Sequence, residues 1–433
     1  MPGAHPLPLW AGRTLALAGI LLVALNLRVA VASVSPIADQ ISVDVPLSTV
    51  ALGTLGALPP VAFALSGLLA PLLAKRVGLE AGIALAAMAM VVGHLVRGLA
   101  GSYPTLLLGS VLVLAGMGFG NILLPPAVKR YFPDRIGLVT TAYATLLSLS
   151  TAGPAILAAP VADAEGWRVS LGVWAILAVT GLVPWVLLLV RGRRERRDGD
   201  DRTDRSDRTD RTDRPDRREG AGDDLDSAAP ALFRRMLRSR TAWAIGLSFA
   251  VSSLNAYAAF AWFPSMLVDI AEVDRTTAGA LLAVYGLMGL PAALLLPALA
   301  VRIRNVGLLM QVGVGFFVAG YVGLLLAPAA APLLWVVLTG LGPIIFPVCL
   351  VLINMRTRSH HTAIALSGLV QTIGYTIGAL GPLVVGVLHD TTGGWTAPLL
   401  FLMSTTAIAS VTGVMLARPR FVEDDLDAGA RLA

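Results

Sequence analysis

An arginine lies near the middle of the first long apolar stretch of the chain. Arg28 follows Asn26 and Leu27 within residues 14–37, which are otherwise apolar enough to cross a lipid bilayer. A charged side chain at mid-bilayer costs about 2.5–3.5 kcal/mol even on the lowest scales, so it is rarely retained unless it faces a partner or a water-filled cavity. We therefore predict that Arg28 lines a polar cavity. The alternative is that Arg28 pairs with a helix carbonyl for structural reasons.

A related polar motif lies in a later apolar stretch, residues 241–268. There Asn255 and Tyr257 correspond to Asn26 and Arg28. A guanidinium and a phenolic hydroxyl on opposite walls of a cavity would suit an anion or a small planar polar molecule. We predict that all four side chains bind this solute, although the two asparagines could instead be packing residues between helices.

Other polar or aromatic side chains occur in the central parts of further apolar stretches. Gln371 and Tyr375 are four residues apart and would share one face of a helix. Trp262 could stack on a solute or anchor its helix at the membrane interface. The candidates for the same cavity are Asn121, Tyr143, Ser148, Gln371, Tyr375 and Trp262.

Proline and glycine occur where two of the apolar stretches could bend. Pro125 follows the glycine-rich residues 116–121, and Pro347 follows a Gly-Pro pair in residues 332–354. Such residues are tolerated in membrane helices because neighbouring groups satisfy the freed backbone. We predict that both helices bend as a gate opens. Residues 116–121 lack the lysine and the serine or threonine of a phosphate-binding loop, so close helix packing explains their glycines better.

The composition is that of a membrane protein. Hydrophobic residues make up 56% and charged residues 14% of the 433 residues, and the mean hydropathy is +0.76, whereas about a quarter of the residues of a soluble protein are charged. The net charge of +6 lies mostly in loops between apolar stretches, which favours a role in membrane orientation over a nucleic-acid partner. No metal-ligand cluster, catalytic triad or carboxylate pair occurs at membrane depth, so we expect no enzyme activity, metal or cofactor.

Twelve apolar stretches are long enough to span a bilayer, which needs about 20 residues. Residues recur between the first six and the last six with a spacing of 228 positions, as from Pro36 to Pro264 and from Gly153 to Gly381. Because six crossings return the chain to its starting side, the two copies run parallel. We predict an all-α membrane fold in which two six-helix bundles face each other across a central cavity. The predicted spans are residues 14–37, 47–70, 79–98, 105–127, 137–160, 169–190, 241–268, 277–300, 306–327, 332–354, 363–388 and 397–417.

The predicted bundles are residues 1–190 and 241–418, and a cytoplasmic tail of residues 419–433 follows. The core of residues 191–240 alternates aspartate with arginine and has no apolar face, so we expect a disordered linker there, with a short amphipathic helix at residues 231–240. The short loops on one side carry most of the lysines and arginines, so both termini should be cytoplasmic.

No predicted span carries an aspartate or glutamate near its centre. A membrane-buried carboxylate is the usual proton relay, so proton symport through such a group is disfavoured. Coupling through His94, proton movement on the solute itself, exchange and facilitated diffusion all remain open. His94 and Arg97, three residues apart near one end of the third span, are better explained as a structural pair or an outer gate than as a binding site.

The sequence resembles the major facilitator superfamily and, within it, the cyanate/nitroimidazole transporter family. The resemblance covers nearly the whole chain outside the linker. It is most specific at residues 25–28 (Leu-Asn-Leu-Arg) and 33–36 (Ser-Val-Ser-Pro), and then at residues 254–258 and 261–264. It implies alternating-access movement of a small polar or anionic solute, with Arg28 facing the ligand.

The loop after the second span is similar to a reduced form of the superfamily's inner-loop signature. Residues 67–78 contain Gly67, Lys75 and Arg76 but lack the usual aspartate. The resemblance implies a gating role for these three residues. The contribution that the aspartate of the signature normally makes to gating would be missing.

We therefore predict a secondary transporter, a monomer in the bacterial plasma membrane, whose partners are the lipid bilayer and a small anionic or heteroaromatic solute. The alternative is an exporter of lipophilic drugs, which a wide apolar cavity would support. For such an exporter, the charge at position 28 would be dispensable.

Overall fold

Long apolar helices make up almost all of the described part of the chain. The computed structural model describes residues 13–206, 236–291 and 305–430, and no β-strand occurs in these ranges. Eleven helical segments within them are long and apolar enough to cross a membrane. The remaining predicted span, the eighth at residues 277–300, begins as a helix and then enters residues outside the described ranges. The predicted all-α architecture is confirmed.

The first half of the chain contains nine α-helices and a short 3-10 turn at Ser35–Ile37 in its described part. The helices are α1 Thr14–Ala24, α2 Val29–Ala32, α3 Ala38–Asp44, α4 Thr49–Val77, α5 Leu79–Gly98, α6 Tyr103–Tyr131, α7 Ile136–Glu165, α8 Trp167–Gly172 and α9 Trp174–Ser206.

The second half, as far as it is described, contains eight α-helices and two 3-10 turns, at Pro328–Ala330 and Gly342–Ile344. The helices are α10 Arg240–Ala271, α11 Arg275–Leu287, α12 Val306–Leu326, α13 Pro332–Leu341, α14 Ile345–Met355, α15 His360–Thr392, α16 Thr396–Leu416 and α17 Val422–Ala430.

The first predicted span is not one continuous helix. α1 ends at Ala24, residues 25–28 form turns, and α2 begins at Val29. Neither glycine nor proline lies in residues 24–30, so the break has no local sequence signal. Irregular backbone at membrane depth is tolerated where it is buried in protein or lines a cavity. The break places Arg28 on such backbone.

The two spans predicted to bend at a proline differ. The tenth span is divided into α13 and α14 by the 3-10 turn at Gly342–Ile344, next to Pro347. The fourth span, α6, is one continuous helix with Pro125 inside it. Bending of either helix during gating stays a prediction.

The predicted linker and the helix before it overlap. α9 continues as a helix to Ser206, fifteen residues beyond Arg191, where we expected the disordered linker to begin. Residues 207–235, with most of the expected amphipathic helix at 231–240, lie outside the described residues. The described chain resumes at Met236, which is buried, and enters α10.

The loops fall on two faces of the bundle. On the face that bears Arg13, which we call the terminal face, Arg13 pairs with Asp134 at 2.7 Å. On the opposite face Asp44 pairs with Arg168 at 2.5 Å. Both pairs join elements within the first half, so they hold each end of that half together.

Several contacts join the two halves at the opposite face. The Ser35 hydroxyl donates to the Phe260 carbonyl at 2.7 Å, and Arg275 pairs with Asp39 at 3.2 Å. Gly279 allows α11 and α7 to approach each other closely, because a Cβ at this position would lie 2.5 Å from the Ala155 carbonyl oxygen of α7. The two halves are therefore held together at the opposite face, between that face and the middle of the bundle.

Candidate functional site: a cavity between the two halves

A cavity of about 360 Å³ lies between the two halves, at the middle of the bundle. Residues of the first, fifth, seventh, eighth, tenth and eleventh spans line it. It extends to Leu350, which is 38% exposed and lies five residues before the end of α14 on the terminal face. Its polar lining consists of Arg28, Ser148, Thr151, Ser252, Ser253, Tyr257, Tyr285 and Tyr375.

Arg28 lines this cavity, as we predicted. Its guanidinium carbon lies 4.8 Å from the centre of the Phe63 ring, and its NH1 donates to the Leu27 carbonyl at 3.3 Å. This carbonyl lies in the turns between α1 and α2 and not in a helix, and the bond uses one of the five donors that a guanidinium carries. The aromatic face offsets part of the cost of burying the charge. The remaining donors give the cavity a hydrogen-bonding surface of positive charge.

The charge of the cavity is positive. Among the lining residues within the described ranges, Arg28 is the only one that carries a charge, and none is acidic. The same part of the chain contains no group of three metal-ligating side chains that could hold an ion. The cavity therefore offers one cation and several hydroxyls, which together suit an anion or a polar solute with acceptor atoms.

A cluster of aromatic residues lies beside the cation. Tyr375 contacts Phe63 with ring centres 6.3 Å apart and Tyr257 with ring centres 6.5 Å apart, both edge to face. Phe63 belongs to the first half and the two tyrosines to the second. The prediction that the repeated motif brings Arg28 and Tyr257 to one cavity agrees with this geometry. Flat rings around a cation would suit a planar solute.

Two buried hydroxyls belong to residues of the cavity lining. Those of Ser253 and Tyr285 are buried and form no hydrogen bond with other described residues. An unpaired buried hydroxyl costs about 1–3 kcal/mol. Each is a donor left unused beside the cavity wall.

Asn26 does not line the cavity. It is buried, and its amide donates to the carbonyl of Leu22 at 2.8 Å and to that of Leu177 at 3.1 Å. Its own backbone N–H bonds to Val23, three residues back, because the helix breaks here. The side chain therefore satisfies the Leu22 carbonyl that the break has left without its usual partner.

Asn255 occupies the equivalent position in the second half and also points away from the cavity. Its amide donates to the Val251 carbonyl at 2.8 Å and to the Thr405 hydroxyl at 3.0 Å, and its oxygen accepts from Tyr321 at 2.7 Å. Each asparagine thus joins the first span of its half to the sixth, through α9 or α16. The alternative of packing residues describes both asparagines better than the predicted role in binding.

Trp262 is also a packing residue in this structure. It is buried, donates to the Pro382 carbonyl at 2.8 Å, and lies against Trp395 with ring centres 5.9 Å apart. It therefore holds α10 against α15 and α16 and does not line the cavity. The sequence could not separate this arrangement from a stacking wall, because a tryptophan near a helix end suits both.

Three other predicted residues lie outside the cavity lining. Asn121 and Tyr143 are partly buried on α6 and α7. Gln371 donates to Ser367 one turn earlier in α15, at 2.8 Å. Of the pair predicted to share one face, only Tyr375 reaches the lining. Gln371 has instead used its amide within its own helix.

The predicted gating residues lie in different surroundings. Pro347 lines the cavity, whereas Pro125 is exposed on α6. Gly67, Lys75 and Arg76 are exposed on α4, the last two in its final turn before Gly78. A gating role for these five residues stays a prediction.

His94 and Arg97 form a separate buried pair in the first half. Nδ1 of His94 lies 3.3 Å from the Leu171 carbonyl oxygen, and Arg97 donates to the Ser33 hydroxyl at 3.2 Å. Neither lines the cavity. The pair therefore joins α5 to α8 and to the bend that follows α2.

Sequence reasoning missed several lining residues. Ser252 and Ser253 directly precede the predicted motif in α10, so this polar pair carried a usable signal. Thr151 lies three residues after Ser148 and could have been found by helical spacing. Phe63, which packs against Arg28 and is not itself a lining residue, carried no signal, because a phenylalanine in an apolar span has the same pattern whatever it contacts.

The sequence matches known transporters over most of its length. The family model described as Major Facilitator Superfamily matches residues 16–379. The 2-nitroimidazole transporter of Escherichia coli (strain K12) is 29% identical over 419 residues, which cover 94% of this chain and 96% of that protein. The cyanate transport protein CynX of the same organism is 28% identical over 408 residues, covering 93% and 96%. The uncharacterized transporter YycB of Bacillus subtilis (strain 168) is 29% identical over 408 residues, covering 93% and 94%.

Solved structures share the fold. A bacterial homologue of the human lysosomal transporter Spinster superposes with a TM-score of 0.67 at 17% identity, over 99% of this chain and 98% of that chain. A POT family transporter in complex with 5-aminolevulinic acid gives 0.69 at 12% identity, over 93% and 95%. The all-α major facilitator fold and the resemblance predicted from the sequence are confirmed, and the relatives are transporters and not enzymes. A family model that covers most of the chain, similar full-length relatives and a shared fold place it in the Major Facilitator Superfamily.

Proposed function

We propose that this secondary transporter binds a small anionic or polar solute, preferably a planar one, in the cavity between its halves. The observation that carries the proposal is the position of Arg28, the sole charged lining residue in the described ranges, against the Phe63 ring. No carboxylate among the described lining residues balances the charge of this guanidinium. A solute with a negative charge or strong acceptor atoms would supply a counter-charge.

The relatives' names support this solute class. Two of the similar proteins are a 2-nitroimidazole transporter and a cyanate transport protein. Cyanate is a small anion, and 2-nitroimidazole is a planar heterocycle with acceptor oxygens. Both are small enough for a cavity of about 360 Å³, and both could accept hydrogen bonds from Arg28.

The contacts between the halves support transport by alternating access. At the opposite face Ser35 bonds to Phe260 and Asp39 pairs with Arg275, whereas the cavity extends toward the terminal face at Leu350. If the terminal face is cytoplasmic, as the distribution of lysine and arginine predicts, the cavity is open to the cytoplasm and closed to the outside. The opposite arrangement would require these contacts to separate.

The cavity also limits how transport can be coupled. Its lining contains no aspartate, glutamate or histidine in the part of the chain that the structure covers. We therefore propose that transport is not coupled through a carboxylate or an imidazole of the cavity. Exchange, facilitated diffusion and movement of a proton on the solute itself fit this lining.

A thermal-shift screen of the purified protein would test the proposal, because a ligand that binds the folded form raises its Tm. We would screen cyanate, nitrate, benzoate and 2-nitroimidazole against the wild-type protein and Arg28→Gln. At least one should stabilise the wild type and fail to stabilise the variant. Stabilisation of both proteins by neutral lipophilic drugs, with no response to these probes, would favour the drug exporter.

A further inference from the structure

A second cavity lies on the terminal face, far from the solute site in the fold. Its volume is about 370 Å³, and it is bounded by the start of α10, the end of α16 and the segment leading into α17. Its charged lining residues are Arg240, Arg418, Arg420 and Asp425. None of them lines the cavity that contains Arg28.

The charge of this second cavity is positive. Arg240, Arg418 and Arg420 are exposed, and none forms an ion pair with a carboxylate of the described residues. Three cations and one carboxylate leave a net charge of +2. Three arginines around a concave surface match the several oxygens of a phosphate group.

The one acid of the cavity is already engaged by the protein. Asp425 accepts hydrogen bonds from the Ser239 hydroxyl at 2.8 Å and from the Thr241 backbone N–H at 2.9 Å. Burial works against ionisation, but these bonds and Arg420 hold the pKa of Asp425 below its usual range. The carboxylate therefore fastens α17 to the start of α10, and the three guanidiniums are left to face a ligand.

The remaining wall of the cavity is apolar and continues along an exposed helix surface. Ala244, Val414, Met415 and Leu416 line it. Val414 is 65% exposed, and Val411, one turn earlier on α16, is 63% exposed. Such a surface in a membrane-spanning helix faces acyl chains, so the arginines lie where the hydrocarbon region meets the headgroups.

Trp243 supports this position at the interface. It lies three residues after Arg240, is 38% exposed, and its indole N–H donates to the Leu237 carbonyl at 2.8 Å. Tryptophan is enriched at the level of the lipid headgroups, where its ring is half apolar and half polar. The tryptophan thus places the start of α10, which borders the cavity, at the level of the headgroups.

We infer that this second cavity binds an anionic glycerophospholipid, with its phosphate among Arg240, Arg418 and Arg420 and its acyl chains along Val411 and Val414. Basic pockets between membrane helices are suited to anionic lipid headgroups. A free phosphate would satisfy the same arginines but would leave the apolar wall without a role. The adjoining exposed valines therefore favour the lipid as the source of the phosphate.

The wild-type protein in neutral detergent is the first test. We would measure its Tm against increasing phosphatidylglycerol, phosphatidylcholine and inorganic phosphate. Phosphatidylglycerol should raise the Tm at concentrations at which phosphatidylcholine does not. Equal stabilisation by the two lipids would overturn the proposal, and so would full stabilisation by inorganic phosphate alone.

Paired variants locate the site. Arg418→Gln with Arg420→Gln should weaken the apparent affinity for phosphatidylglycerol about 25-fold, at roughly fivefold for each arginine near a membrane surface. The matched control is Lys75→Gln with Arg76→Gln, which removes the same charge from the exposed end of α4. This control should keep the wild-type affinity. An equal loss of affinity in both double variants would mean that net charge alone attracts the lipid. Wild-type affinity in both would show that the lipid does not bind at these arginines.

Discussion

The guanidinium carbon of Arg28 lies 4.8 Å from the centre of the Phe63 ring, on α4 of the same half. The Phe63 ring packs edge to face with Tyr375 of the other half, with ring centres 6.3 Å apart. The one cation that lines the cavity in the described ranges is therefore part of an aromatic cluster that spans both halves. A movement of the halves would change the surroundings of Arg28 directly.

Removing the ring under Arg28 should weaken solute binding. A cation on an aromatic face is stabilised by about 0.5–2 kcal/mol, depending on its desolvation. We expect Phe63→Leu to lower the affinity for an anionic solute by about fivefold, because the guanidinium loses its orientation. Phe63→Tyr keeps the ring and should bind as the wild type does. Isothermal titration with the strongest probe of the thermal-shift screen would compare them, and equal affinities in all three proteins would show that the ring does not matter.

The tyrosine hydroxyls of the cavity should contribute to binding and not to folding. Tyr257→Phe and Tyr375→Phe each remove one donor that faces the solute. The expected loss is about 1 kcal/mol, or roughly fivefold in affinity, for each hydrogen bond. The Tm in the absence of solute should stay close to that of the wild type. A lowered Tm with unchanged affinity would assign these hydroxyls to packing instead.

Asn255 and Tyr321 should show the reverse behaviour. The Tyr321 hydroxyl donates to Asn255 at 2.7 Å in the buried interior of the second half. Asn255→Leu leaves that hydroxyl unpaired, at a cost of about 1–3 kcal/mol, so the Tm should fall while the affinity for solute persists. The double variant with Tyr321→Phe should be destabilised by less than the sum of the two single variants, because both partners of one bond are removed. Strict additivity, or loss of solute binding with an unchanged Tm, would contradict the packing role of Asn255.

Linking the halves at the opposite face should stop transport. Cys349, the single cysteine of the sequence, would first be replaced by serine. In that background Asp39→Cys with Arg275→Cys would be joined by a short bifunctional thiol reagent, across a pair that connects the two halves. We expect uptake to stop and to return when the link is cleaved.

The chain provides a matched control for this experiment. Asp44 and Arg168 form an ion pair on the same face but within the first half. Cysteines at these two positions, linked by the same reagent, should leave uptake unchanged. Uptake that survives the link between the halves would argue against separation of this face during transport.

Burial energetics made Arg28 predictable from the sequence, but its local backbone was not. A guanidinium in an apolar stretch has few stable surroundings. Its position in a cavity therefore followed from the free-energy cost of placing a charge in the bilayer. The break at residues 25–28 contains no glycine or proline and depends on tertiary contacts, such as the bond from Asn26 to Leu177. Sequence spacing holds no information about such a contact.

The asparagines illustrate a different limit. A polar side chain in the middle of a span can face a cavity or satisfy groups of a neighbouring helix, and its residue type suits both. Asn26 and Asn255 bond to neighbouring helices, to Leu177 of the sixth span and Thr405 of the twelfth span. The repeat in the sequence correctly related the two residues to each other. It could not tell toward which side of the helix they point.

Uptake by the purified protein in liposomes, measured with the strongest labelled probe of the solute screen, tests the central claim most directly. We expect Arg28→Ala to lose about 100-fold or more in transport efficiency, as is typical when one partner of a buried charged contact is removed. Arg28→Lys should retain part of the activity, because it keeps the charge but not the planar fork of donors. Unchanged uptake in both variants, with intact folding shown by Tm, would contradict a solute site at Arg28.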